Sequence, residues 1–310
     1  MKLLEQQAVA GISIKNVLFA TDFSEASTAA LPYALAVAGR YGSTLHMAHV
    51  VPDTNFVMMT GGIDPISIGT IYDRAHTNAQ ELMQRLEQRT QQVPARTYVA
   101  HGPVWDMLSG IVSDSQADLL VIGTHGRTGV QKLLMGSVAE EIFRQARCPV
   151  LTVGPNLARC YSTEGEADFP CAKLELKRVL YATDFATSSL IAASIAMSFA
   201  REFQAHLVML HVMREYIDLH KKPGPIEKTL RRLEEMIPET SGLWFEPEAV
   251  VKFGDPSYEI LDVAREQKAD LIVLGVRPAK DHPSASAHSP WATAHQVIAG
   301  ARCPVLTVRG

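Results

Sequence analysis

Apolar residues along this chain come in two alternating rhythms. Short, nearly unbroken apolar runs stand at VLFA (17–20), LHMAHVV (45–51), RTYVA (96–100), LLVIG (119–123) and PVLTV (149–153). Such runs suit strands covered on both faces. Longer stretches with helical spacing lie between them. SEASTAALPYALAVAGRYG (24–42) predicts one helix, N-capped by Ser24, closed at Gly42 and kinked at Pro32. Residues 72–92 are charged and amphipathic, PVWDMLSGIVSDSQ (103–116) places Pro103 in a first turn, and SVAEEIFRQA (137–146) comes last. The order β-α-β-α-β-α-β-α-β implies a parallel sheet with helices on both faces and right-handed crossovers. Ligands of such sheets gather outside the C-terminal strand ends, where the strand order reverses.

The same text is then written again. KNVLFATDFS (15–24) returns as KRVLYATDFA (177–186), ADLLVIG (117–123) as ADLIVLG (269–275), and ARCPVLTV (146–153) as ARCPVLTV (301–308). The order is kept and the period is far too long for a solenoid. The chain therefore divides into a first domain (1–154), a polar, turn-rich linker (155–176) and a second domain (177–310).

Composition narrows the function classes. A length of 310 residues, 47% hydrophobic and 20% charged, suits two soluble globular domains. A net charge of -4 gives no support to a nucleic-acid surface. No apolar run is long enough to span a membrane, and the N-terminal stretch carries Glu5 and too short an apolar core for a signal peptide, so a cytoplasmic protein is expected. Cys148 and Cys303 precede apolar strands and read as small buried hydrophobes. Cys160 and Cys171 lie eleven apart in the linker; a bridge and a metal site are the readings open there, and no histidine stands in the linker to complete a zinc site.

One stretch stands out chemically. GTHGRTGVQKLLMGS (123–137) starts where a strand ends and stops where a helix begins, in the pattern G-x2-G-x9-G-S. It is neither a Walker A loop nor the dinucleotide G-x-G-x-x-G fingerprint. A tight turn, a close chain crossing or a phosphate would each account for the glycines. Glycines let backbone N–H groups approach an anion, and a helix N-terminus at Gly136 and Ser137 favours negative charge. Arg127 and Lys132 can reach outer phosphates, and His125 suits a loop residue or phosphate donor. Equally, Ser137-Val138-Ala139-Glu140 is a capping box that needs no ligand.

The segments VLFATDFS, GTHGRTGVQKLLMGSVAEEI and CPVLTV resemble the universal stress protein family in its tandem form, over nearly the whole chain. The resemblance implies an α/β fold of two doubly wound domains. Each would have a five-stranded parallel sheet, order 3-2-1-4-5, with helices on both faces. It also implies that G-x2-G-x9-G-[ST] marks an ATP binder. Carried over, Ala20, Thr21 and Asp22 would line the adenosine, with Asp22 near the base, the ribose or a Mg²⁺ carried by ATP. Val50 would hold adenine through its backbone, and Ile122 and Gly123 would pass under the ribose. Gly126, Gly136, Ser137 and Val138 would donate to the phosphates, beside His125 and Arg127. The family often has proline where this chain has Ala20. Its members commonly pair through the last edge strand, which implies pairing of the two domains within one chain; a homodimer of chains is expected besides, because symmetric homo-oligomers are common.

The second copy departs from the pattern. Pro278 stands in the place of Gly126, and Trp291 and Ala292 in the place of the Gly-Ser that opens the final helix. Proline offers no N–H and tryptophan obstructs backbone approach, so one nucleotide site per chain is expected, in the first copy. His282, His288 and His295 have no carboxylate or cysteine at metal-ligand spacing. His46 and His49 fall on opposite faces of one strand, in packing or at the surface. The apolar loop 52–70 covers the nucleotide, packs on the other copy or is a plain excursion. No catalytic triad or dyad can be read. Three readings stay open: an ATP-responsive stress or signalling protein acting on a protein partner, a slow ATPase or phosphotransfer enzyme, and a scaffold that binds no nucleotide.

Overall fold

A computed structural model of the chain describes residues 12–52, 65–124, 137–157, 175–214, 224–276 and 290–309. The first half runs β1 (Asn16–Ala20), α1 (Glu25–Thr28), α2 (Leu31–Tyr41), β2 (Thr44–Pro52), α3 (Pro65–Gln88), β3 (Ala95–Gly102), α4 (Val104–Asp114), β4 (Leu119–Gly123), α5 (Ser137–Gln145) and β5 (Val150–Val153). The second half runs β6 (Arg178–Ala182), α6 (Thr187–Phe203), β7 (His206–Met213), α7 (Gly224–Glu234), β8 (Glu248–Phe253), α8 (Pro256–Glu266), β9 (Leu271–Val276), α9 (Pro290–Gly300) and β10 (Val305–Arg309).

All ten strands form one sheet in the order β3-β2-β1-β4-β5-β10-β9-β6-β7-β8. Each half contributes five parallel strands in the order 3-2-1-4-5, as the family resemblance implied. The halves join where β5 and β10 run antiparallel, with Leu151 opposite Leu306. This contact covers what would otherwise be two exposed edge strands.

The strands form because their side chains are apolar on both faces, and the sheet is buried on both. One face carries Val17, Phe19, Leu45, Met47 and Val121 against α2, α3 and α6. The other carries Leu18, Ala48, Leu120 and Ile122 against α4, α5, α8 and α9. Both layers continue across the seam between the halves, where the Tyr41 hydroxyl lies 3.1 Å from Ser198 Oγ. Burial pushes the Tyr41 phenol up to about 12.

The repeated Asp of the ADL segments ties each half together. Asp118 Oδ2 accepts from the N–H groups of Lys15 (2.7 Å) and Asn16 (2.9 Å). Asp270 Oδ2 does the same for Lys177 (2.8 Å) and Arg178 (2.9 Å). The start of the first strand of each half is thus anchored to the start of its fourth. Cys303 is buried and Cys148 half-buried; burial pushes their thiols up to about 12 and about 11, so both are neutral.

Four expectations are corrected in detail. Residues 24–42 are two helices, not one kinked helix; the break falls at Ala29 and Ala30, and Pro32 sits in the first turn of α2, where its missing N–H costs nothing. The Ser24 cap and Gly42 (φ 67°) stand as expected. Helix α3 starts at Pro65, so 65–70 are helix rather than loop; residues 53–64 lie outside the described residues. Pro103 is the N-cap of α4 rather than its first residue. Helix α9 starts at Pro290, ahead of Trp291. Cys160 and Cys171 lie outside the described residues.

Candidate functional site

Strand order reverses between β1 and β4, which pair in parallel with Phe19 opposite Val121. Ala20 lies opposite Ala48, and Val50 stands two residues further along β2. Partners in parallel register share a face, so Ala20, Val50 and Ile122 look toward the layer of α4 and α5. The first half therefore brings to one sheet edge the ends of β1, β2 and β4, on the side where α5 packs through Ala139, Ile142 and Phe143.

The loop after β1 is fixed by short bonds. Thr21 N–H donates to Ala48 O at 2.9 Å, which carries the ladder one residue past β1. Thr21 Oγ1 accepts from Phe23 N (2.9 Å) and lies 3.0 Å from Ser27 Oγ. Asp22 Oδ1 accepts from Ser24 N (3.0 Å) and Ser24 Oγ (2.6 Å). These bonds turn the chain into α1 and hold Phe23 at φ 61°. That left-handed conformation costs a non-glycine residue about 1–2 kcal/mol.

A further clamp is not apparent from the sequence. His49 Nδ1–H donates to the carbonyl of Thr21 at 2.7 Å, and its ring lies 4.5 Å from that of Phe23. His49 and His46 are both buried and both in packing roles. His46 has Tyr98 Oη at 2.9 Å and Asn16 Oδ1 at 3.1 Å. The second half repeats the clamp: His211 Nδ1–H donates to Thr183 O at 2.8 Å, and its ring lies 4.6 Å from Phe185, itself at φ 58°. The signal lies in the repeat, since AHV at 48–50 returns as LHV at 210–212.

Gly123 answers to the fold. A Cβ on it would overlap the carbonyl oxygen of Ala26 and stand 2.8 Å from Ser27 N. The end of β4 and the start of α1 cross too closely for any side chain. Gly275 meets the backbone of Ser188 and Ser189 in the same way. Next to Gly123, the buried Thr124 donates its N–H to Val153 O at 3.1 Å. The glycine that opens the motif is thus a chain-crossing residue in both halves.

His125, Gly126, Arg127, Lys132 and Gly136 lie outside the described residues, and of Ser137 only its place as the first residue of α5 is described. Helix α5 follows the loop that leaves the end of β4, and the first N–H groups of a helix have no acceptor within the helix itself. Val138 is 36% exposed, an apolar residue on the surface beside the helix start. Among the described residues no three His, Cys, Asp or Glu side chains converge to hold a metal ion. Nor, among them, is any helix long and apolar enough to cross a membrane.

The family model described as the universal stress protein family matches residues 13–154 and again 175–309. The chain belongs to the universal stress protein family. A universal stress protein of the archaeon Methanocaldococcus jannaschii, MJ0531, is 29% identical over 143 residues, 45% of this chain and 81% of that protein. The universal stress protein A homolog 1 of Coxiella burnetii is 33% identical over 143 residues, 45% of this chain and 95% of its own length. Among solved structures, a universal stress protein from Archaeoglobus fulgidus superposes over 96% of this chain and 99% of its own, with a TM-score of 0.72 at 22% identity. That likeness supports the tandem fold over its full length.

Proposed function

We propose that this universal stress protein binds one adenine nucleotide, ATP, in its first half, and that binding alters its conformation or its affinity for a protein partner. Residues 1–154 form the nucleotide domain, 155–176 the linker and 177–310 a domain of the same fold that binds no ATP in this way. The observation that carries the reading is an asymmetry on a shared frame. Both halves keep the β1 turn, the histidine clamp and the chain-crossing glycine. Only the first keeps Gly126 and the Gly136-Ser137 pair, where the second has Pro278 and Trp291-Ala292.

The residues fit the ligand. Ala20, Val50 and Ile122 offer an apolar floor for adenosine, with Thr21 and Asp22 at its rim. The first amides of α5, at Ser137, Val138 and Ala139, lack intrahelical acceptors and suit phosphate oxygens. Gly126 and Gly136 leave room for that approach, and His125 and Arg127 add donors. A Mg²⁺ ion would arrive with ATP, with Asp22 as the nearest protein carboxylate of this set.

The test is to soak the purified protein in ATP and Mg²⁺, denature it, and identify the released nucleotide by chromatography. About one ATP per chain is expected, falling more than tenfold in a Gly126→Val, Gly136→Val double variant. A folded wild type that releases no nucleotide would leave the glycines to the fold alone. Accumulating ADP from wild type only would make the site a slow ATPase.

A further inference from the structure

Across the seam, the last strand of the second half finishes α5, and the start of the linker after β5 finishes α9. Arg309, at the end of β10, donates from Nη2 to the carbonyl oxygen of Phe143 in the last turn of α5, at 2.8 Å. Asn156, just past β5, donates from Nδ2 to the carbonyls of Ala299 and Gly300 at the end of α9, both at 3.2 Å. The last carbonyls of a helix have no intrahelical donor, so these are C-terminal caps supplied from the other side of the seam. The ring of Phe143 also stands 5.2 Å from that of His295 on α9.

The two caps are unequal. Asn156 is neutral. Arg309 places a positive charge at the negative end of the α5 dipole and forms the stronger, charge-assisted bond. Helix α5 has nine residues, with Ala139, Ile142 and Phe143 fixed in the core, and it carries the proposed phosphate amides at its other end. Within its own half, Trp105 Nε1 bonds Gln145 Oε1 at 2.9 Å, again at the C-terminal end. Phe143 and Ser137 belong to the same nine-residue helix, so the position of one end constrains the other.

We propose that the second half sets the position of α5, and through it the affinity of the first half for the phosphate end of its nucleotide, with Arg309 as the positioning residue. The inference rests on the nucleotide reading above. The half without the glycine loop thereby holds the phosphate helix of the other half in register.

The experiment compares wild type with Arg309→Met, Arg309→Lys and Asn156→Ala. ATP and adenosine are titrated separately, and hydrogen exchange of α5 and α9 amides is followed without nucleotide. Arg309→Met is expected to weaken ATP about fivefold and to leave adenosine within about twofold. It should also speed exchange in α5. Arg309→Lys, which keeps the charge and a donor, restores most of the ATP affinity. Asn156→Ala speeds exchange in α9 and leaves ATP unchanged. Wild-type ATP affinity in Arg309→Met, or equal weakening of ATP and adenosine, would overturn the positioning role. A wild type that binds no ATP would instead sink the nucleotide reading, whatever the exchange data show at α5.

Discussion

The two halves carry the same frame, and only one carries the glycine loop. Thr21, Phe23 and His49 have counterparts in Thr183, Phe185 and His211, which repeat the Phe N–Thr Oγ1 bond and the His Nδ1–Thr O bond. Gly123 and Gly275 make the same chain crossing, and Asp118 and Asp270 the same double tie. A feature present in both halves belongs to the fold, because the second half keeps it without the loop. That comparison gives Gly123 a role in the fold that needs no ligand, and it makes Gly126, Gly136 and Ser137 the residues that set the first half apart. It also tempers Asp22, since Asp184 makes a similar local set, accepting from Ala186 N (2.9 Å) and Ser189 Oγ (2.6 Å).

The sharpest way to break this comparison is to fill the crossing. Gly123→Ala and Gly275→Ala should each lower the unfolding free energy by about 3 kcal/mol in nucleotide-free protein, because backbone must move to admit the methyl. Urea denaturation measures both. A Gly123→Ala protein as stable as wild type without ATP would return that glycine to the ligand. Next in size is the histidine clamp. His49→Leu and His211→Leu each strip a partner from a carbonyl at the end of the first strand, at a cost of about 1–3 kcal/mol. Near-equal losses are expected, and a large loss in one half alone would show that the clamp is not common to the frame.

Smaller effects separate the seam from the frame. Thr152 Oγ1 is buried on β5 with no hydrogen-bond partner among the described residues. Thr152→Val keeps the shape, removes that polar atom and should stabilise the protein by about 1 kcal/mol in thermal unfolding. His295 Nε2 is buried likewise, and desolvation holds its imidazole below the ordinary value of 6.5, against a partial pull upward from Glu140. His46 is lowered too, by burial and by Arg96. Between the folded and unfolded values the unfolded chain binds more protons, so stability is full above pH 6.5 and falls as pH drops through the folded values. His295→Leu should flatten part of that fall, followed by denaturation between about pH 7.5 and 5. An unchanged slope would place the acid sensitivity elsewhere.

Much of the fold is legible because burial on both faces writes strands as unbroken apolar runs, and because the chain states its domain twice. LLVIG at 119–123 matches β4 to the residue, and the Ser24 cap is equally plain. Sequence and structure part where local rules compete. Pro32 disfavours a helix interior and favours a first turn; tertiary packing chose the second. Helix α3 begins inside an apolar stretch whose Gly and Pro residues suit a loop. Of the candidate site, the strand ends are legible from the topology alone. The His49 clamp is not, since a histidine on a strand does not announce which carbonyl it meets. Arg309 is hidden for the same reason: its partner, Phe143, lies 166 residues away.

The central claim is one nucleotide site per chain, opened by small residues that only the first half retains. Calorimetric titration of ATP into wild type and into Gly136→Trp, which gives the first half the residue found at Trp291, tests it most directly. One ATP per chain in wild type and none in a variant that stays folded is the predicted result. Two ATP per chain, or undiminished binding in Gly136→Trp, would contradict it.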